Sequence, residues 1–132
     1  MGRVIAIANQ KGGVGKSTTA INLSACLGEK GKKILVIDSD PQGNTTSGLG
    51  VDKNNLENTI YELFLGNSAI NKCIIDDVVP NVSLLASNVN LAAAEIELIG
   101  VEKKEFILKN DLDWIREDYD YILIDCPPSL NL

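Results

Sequence analysis

Lys16 and Ser17 follow three glycines in the run Gly12-Gly13-Val14-Gly15-Lys16-Ser17, and this combination suits one task, the holding of a polyphosphate. Closely spaced glycines let consecutive backbone N–H groups turn inward around phosphate oxygens, where a Cβ would obstruct them. A helix beginning near Lys16 adds its unsatisfied N–H groups and the positive end of its dipole. Lys16 then reaches the β- and γ-phosphates, Ser17 offers its hydroxyl to Mg²⁺, and Thr18 lines the α/β-phosphate side. A glycine-rich turn merely capped by Ser17 would leave Lys16 and the three glycines unexplained. The stretch Lys11, Gly12, Gly13, Val14, Gly15, Lys16, Ser17 and Thr18 therefore predicts a site for a nucleoside triphosphate, ATP, with Mg²⁺.

Three carboxylates complete the chemistry. Asp38 and Asp40 come just past a short apolar run, and Asp125 follows another, Ile122 to Ile124. Ligands of open α/β sheets gather at the carboxyl ends of strands, so these acids belong beside the phosphates. Asp38 is placed to assist Mg²⁺. Asp125 matches the second acidic residue of a P-loop metal site, acting through a metal-bound water. An aspartate after a strand is also a common helix cap, and only the pairing with the glycine-rich loop favours the metal. Cys126 has no basic neighbour in sequence to lower its pKa and reads as small packing rather than a reactive thiol.

A frame must bring these residues together. Val4 to Ala8 is short, apolar and β-branched, as is Ile34 to Ile37, and between them Ala20, Leu23 and Leu27 recur at helical spacing before Gly28 and Gly31. Strand, helix and strand form a βαβ unit with a right-handed crossover, so the sheet is mainly parallel. Gln42 to Asn58 is rich in Gly, Asn, Thr and Asp and reads as a long loop. Thr59 and Glu62 have capping-box spacing ahead of a short helix with Ile60, Leu63 and Phe64 on its apolar face. Val82 to Ala86 reads as a third strand, and Leu91 to Ile99 and Lys103 to Glu117 as helices. Leu108, Leu112 and Ile115 share a face of the last helix, whose Phe106 and Trp114 are assigned to the core as packing anchors. Tyr121 to Ile124 is the fourth strand.

Composition excludes other classes. A chain of 132 residues, 45% hydrophobic, makes one domain with one core. With 18 acidic against 12 basic side chains it has a formal charge of −6, the wrong sign for a nucleic-acid face. Three widely spaced cysteines without a C-x-x-C pair suggest neither disulfides nor zinc, and a reduced cytoplasmic compartment fits them. No run approaches the roughly 18 apolar residues of a membrane span, and the amino terminus lacks a cleavable signal.

The loop departs from the ordinary G-x-x-x-x-G-K-[ST] pattern in that Lys11 stands immediately before Gly12-Gly13. With that residue the chain resembles the ParA/MinD group of ATPases, whose glycine-rich loop is called deviant. Asp38-Ser-Asp-Pro-Gln-Gly-Asn44, Ala94-Glu-Ile-Glu-Leu98 and Asp125-Cys-Pro-Pro-Ser129 narrow the likeness to the chromosomal ParA/Soj type. The resemblance implies a P-loop α/β fold and an ATPase that switches between an ATP-bound homodimer and open monomers. It gives Lys11 a role at the partner subunit's phosphates and gives Asp40 the positioning or activation of the attacking water. It also implies a ParB/Spo0J-type partner that stimulates hydrolysis, non-specific DNA binding by the full-length dimer, and association with the nucleoid.

Domains of that family run on for about as long again, so residues 1–132 are expected to be the amino-terminal half. The half lacking here would carry the adenine contacts and the basic DNA surface. DNA binding is accordingly not expected of this chain, nor is membrane association. Two alternatives stand beside this reading: a nucleotide-binding half-domain without turnover, and a redox ATPase resembling the nitrogenase iron protein, which shares the deviant loop.

Overall fold

Strand β2 (Ile34–Asp38) is buried at every position, and its side chains divide between two cores. Leu35 and Ile37 join Leu85, Ile122 and Ile124 on one face of the sheet. Ile34 and Val36 join Val82, Leu84 and Leu123 on the other. A strand covered on both faces has no room for polar alternation, hence the continuous apolar run in its sequence. The computed structural model describes residues 3–8, 14–39, 44–52, 59–64, 69–87 and 101–126.

Four further strands flank β2: β1 (Arg3–Ala8), β3 (Ile74–Val79), β4 (Val82–Leu85) and β5 (Tyr121–Cys126). Their order is β1-β5-β2-β4-β3. β1 with β5, β5 with β2, and β2 with β4 are parallel. Only β3 runs antiparallel, against β4. The sheet is thus mainly parallel, as the apolar runs predict.

Helices cover both faces. On one side α1 (Val14–Glu29) lays Ile21, Leu23 and Leu27 against the core that holds Ile34, Val36 and Leu84. It passes so close to the β3–β4 turn that a Cβ on Gly28 would stand 2.5 Å from the Pro80 carbonyl oxygen. Gly31, at φ +82°, then turns the chain toward β2. The opposite face carries α3 (Ile60–Phe64), α4 (Ile70–Cys73) and α5 (Val101–Ile115), which contribute Ile60, Leu63, Phe64, Ile70, Cys73, Leu108, Leu112 and Ile115. The Thr59 backbone N–H and hydroxyl both donate to Glu62 Oε2 at 2.6 Å, so the capping pair closes α3 as its spacing predicts.

Three expectations need correction. The stretch Gln42 to Asn58 is not all loop: α2 (Asn44–Gly48) lies within it, beside α1, and Gly48 sits directly on Ile21. Strand β3 carries no legible strand pattern in the sequence, because Asp76-Asp77 interrupts its apolar run. Those acids are exposed on an edge strand whose register shifts between Ile75 and Val79, and charge with irregularity is how edges resist pairing with other chains. Phe106 and Trp114 are not core residues, being 65% and 85% exposed. Phe106 precedes Leu108 and Trp114 follows Leu112 by two positions, about 200° around the helix from the buried stripe. The helix expected at Leu91 to Ile99 lies outside the described residues.

Candidate nucleotide site

Asp38 ends β2 and Asp125 is the penultimate residue of β5, and the parallel register sets them side by side. Both are fully buried. Their backbones are continuous with two neighbouring interior strands of the sheet, so the strand ladder fixes where the two carboxylates begin. Their orientation is fixed from α2.

Thr45 and Thr46, at the start of α2, are likewise fully buried. The Thr45 hydroxyl donates to Asp125 Oδ2 at 2.5 Å. The Thr46 backbone N–H and hydroxyl both donate to Asp38 Oδ2, at 2.9 and 2.7 Å. Hydrogen bonds to an ionised acceptor are short and about twice as strong as neutral ones. Ser39 adds a further tie, its N–H and hydroxyl donating to the Asp125 carbonyl oxygen at 3.2 and 2.7 Å. The Ser87 N–H, just past β4, donates to the Thr46 hydroxyl oxygen at 3.0 Å. Ends of β2, β4 and β5 are thereby joined through one short helix.

The amino terminus of α1 follows β1, the neighbour of β5, and α1 opens with Val14, Gly15, Lys16, Ser17 and Thr18. The helical start expected near Lys16 is present, two residues earlier, and directs unsatisfied N–H groups out of the first turn. The side chains of Val14, Lys16, Ser17 and Thr18 lie outside the description, as do residues Lys11, Gly12, Gly13 and Asp40 entirely. Of the predicted site, the structure brings together Asp38 and Asp125 and places the first turn of α1. Thr45, Thr46 and Ser87 belong to no motif of the sequence; the one signal it carries for them is the polar pair following Asp38 by seven and eight residues.

A hollow of about 260 Å³ is lined by Lys33, Asp76, Asp77, Ser83, Asp118 and Tyr119, toward the amino-terminal ends of the parallel strands and away from Asp38 and Asp125. Burial and the nearby Asp76 raise the Tyr119 phenol above its usual pKa, against a lowering hydrogen bond with Ser83. Cys26 is exposed and Cys73 buried, both as free thiols. Among the described residues no helix is long and apolar enough to cross a membrane.

A mainly parallel sheet, acidic residues at the ends of neighbouring strands, and a glycine-rich segment leading from an adjacent strand into a helix define the P-loop nucleoside triphosphatase fold. The chain belongs to the family described as an AAA domain, whose model matches residues 2–132. It is 48% identical to the sporulation initiation inhibitor protein Soj of Bacillus subtilis over 132 residues, 100% of this chain and 52% of that protein. Identity to the chromosome partitioning protein ParA of Myxococcus xanthus is 45%, over 100% of this chain and 47% of that protein. Cobyrinic acid a,c-diamide synthase from Mycobacterium smegmatis, solved with bound ATP analog and magnesium, superposes with a TM-score of 0.84 at 40% identity, covering 98% of this chain and 52% of that one. The chain spans about half the length of the relatives it matches.

Proposed function

We propose that this chain is the nucleotide-binding half of an ATP-driven molecular switch of the ParA/Soj partition type. The observation that carries the reading is the buried pair Asp38 and Asp125, adjacent in register at the carboxyl ends of β2 and β5. Two carboxylates placed side by side away from water favour a cation, and their oxygens suit a hard one such as Mg²⁺. The neighbouring α1 terminus suits phosphate. Likeness to a synthase solved with an ATP analog and magnesium, and to a chromosome-partitioning ATPase, supports ATP as the nucleotide.

In this reading Ser17, Asp38 and Asp125 hold Mg²⁺, which neutralises phosphate charge when bound. Lys16 and the N–H groups of Gly12 to Thr18 hold the phosphates. Asp40 orients the attacking water for phosphoryl transfer, and Lys11 adds positive charge at the phosphates of a second subunit. ATP-dependent homodimerisation, stimulation by a ParB/Spo0J-type partner, DNA binding and a cytoplasmic, nucleoid-associated location belong to the same proposal, for the length of chain that the relatives have.

Titration calorimetry of the 132-residue chain with ATPγS and Mg²⁺ tests the reading. Saturable heat is expected, and its loss in Lys16→Ala. An unsubstituted chain that takes up no nucleotide would refute it.

A further inference from the structure

We propose that Thr45 and Thr46 are positioning residues that set the two strand-end carboxylates for a divalent cation and couple helix α2 to that cation's binding. The inference rests on the nucleotide-site reading and adds to it two residues outside the predicted site.

Consecutive residues on a helix project about 100° apart, so one hydrogen bond leaves a short helix free to roll about its axis. Thr45 and Thr46 grip carboxylates on two different strands, Asp125 on β5 and Asp38 on β2. Two anchors in two directions stop the roll. The helix has five residues and no acidic or basic side chain in its end turns, so its own propensity holds it weakly. Its place therefore depends on these bonds and on the contact of Gly48 with Ile21 of α1.

The bonds act in both directions. Each threonine hydroxyl has a single proton, and in the structure both are directed to a carboxylate oxygen at 2.7 Å or less. A carboxylate so held presents its remaining lone pairs in a defined direction, as outer-sphere partners do for metal ligands elsewhere. Conversely, a cation that draws Asp38 or Asp125 toward itself moves α2 with them. The Thr46 oxygen also accepts the Ser87 N–H, which extends the displacement to the end of β4. Ser87 is fully buried and its own hydroxyl oxygen has no hydrogen-bond partner among the described residues, a polar group available to a rearranged α2.

The test compares Thr46→Val, which keeps the shape and removes the hydroxyl, with Thr46→Ser, which restores it. Affinity for a fluorescent N-methylanthraniloyl ATP is measured on the 132-residue chain in Mg²⁺ and in EDTA, alongside hydrogen exchange of residues 44–52. Thr46→Val is expected to lose about 10- to 100-fold of the Mg²⁺-dependent affinity, the usual cost of deleting a metal's outer-sphere partner, with affinity in EDTA unchanged. It is also expected to lose the Mg²⁺-induced protection of 44–52, and Thr46→Ser to recover both. Should Thr46→Val not fold, Thr45→Val and Thr45→Ser are read in the same way. Equal losses in Mg²⁺ and EDTA, or no recovery with serine, would make the threonines structural only and overturn the proposal while leaving the nucleotide site standing. A wild-type chain without nucleotide affinity in either buffer would overturn both.

Discussion

The Thr45 hydroxyl meets the Asp125 carboxylate at 2.5 Å, joining residues 80 apart in sequence and closing α2 onto the end of β5. Neither residue reaches solvent, so no water replaces the donor if it is removed. Thr45→Val is therefore expected to lower unfolding stability by about 1.5–3 kcal/mol, the range for a hydrogen bond to a charged group. Urea denaturation of the 132-residue chain measures it, and Thr45→Ser should lie much closer to wild type.

Asp40→Ala should separate binding from turnover. The residue is assigned to the water and not to the phosphates, so Mg²⁺-ATPγS affinity by calorimetry should stay within about threefold of wild type. In a longer form that turns over, hydrolysis should fall by about 10²-fold or more, as losses of general-base and positioning groups do. An affinity loss equal to that of Lys16→Ala would instead place Asp40 among the phosphate contacts.

Gly28→Ala addresses the seam between α1 and the sheet. The added methyl would meet the Pro80 carbonyl oxygen at 2.5 Å and Val82 Cγ2 at 3.1 Å. The first is backbone, in a turn where Asn81 takes φ +64° and its side-chain amide donates to the Gly28 carbonyl. The turn must shift and that bond must lengthen, so a loss of about 1–3 kcal/mol is expected, as for other overpacked sites. Thermal unfolding followed by circular dichroism gives the value.

Cys73 gives stability a dependence on alkaline pH. Burial, with smaller contributions from Glu62 and Asp111, pushes its thiol from 9.0 up to about 11. Between those values the unfolded chain gives up the proton and the folded chain keeps it. The stabilisation is thus complete below pH 9 and is lost as pH rises toward 11. Denaturant midpoints at pH 8 and pH 10.5 should show the decline, and Cys73→Ala should reduce it.

Trp114 is the single tryptophan and is 85% exposed. Its emission should already be that of a hydrated indole in the folded chain, with acrylamide quenching little changed by urea. Trp114→Gln should alter stability by no more than about 0.5 kcal/mol, as surface substitutions do.

The glycine-rich segment stands out in the sequence because its parts are contiguous: glycines, lysine and serine within six residues point to one chemistry without knowledge of the fold, and the structure describes only the helix that follows it. Asp38 and Asp125 were legible because each ends an apolar run, which marks a strand end from local pattern alone. Thr45 and Thr46 were not, since their partners are set by sheet register and not by spacing. Asn, Thr, Ser and Gly have weak helix propensity, so the α2 sequence reads as loop, and tertiary bonds make it a helix. The same limit applied to Phe106 and Trp114. Their apolar character is local, whereas the buried side of α5 is decided by the phase of Leu108, Leu112 and Ile115 against the sheet.

Strand β1 has β5 as its only neighbour in the described sheet, with Arg3 opposite Tyr121. The first described strand is thus completed by the last described one, and its pairing joins residues 118 apart, Arg3 with Tyr121. Contacts of such long range form late, after the entropy of closing that loop has been overcome. β2, β4 and β3 can pair before β5 leaves the ribosome, whereas β1 must wait for β5. During synthesis the chain can therefore gather much of its described apolar interior, on β2 and β4, before β5 is inserted between β1 and β2.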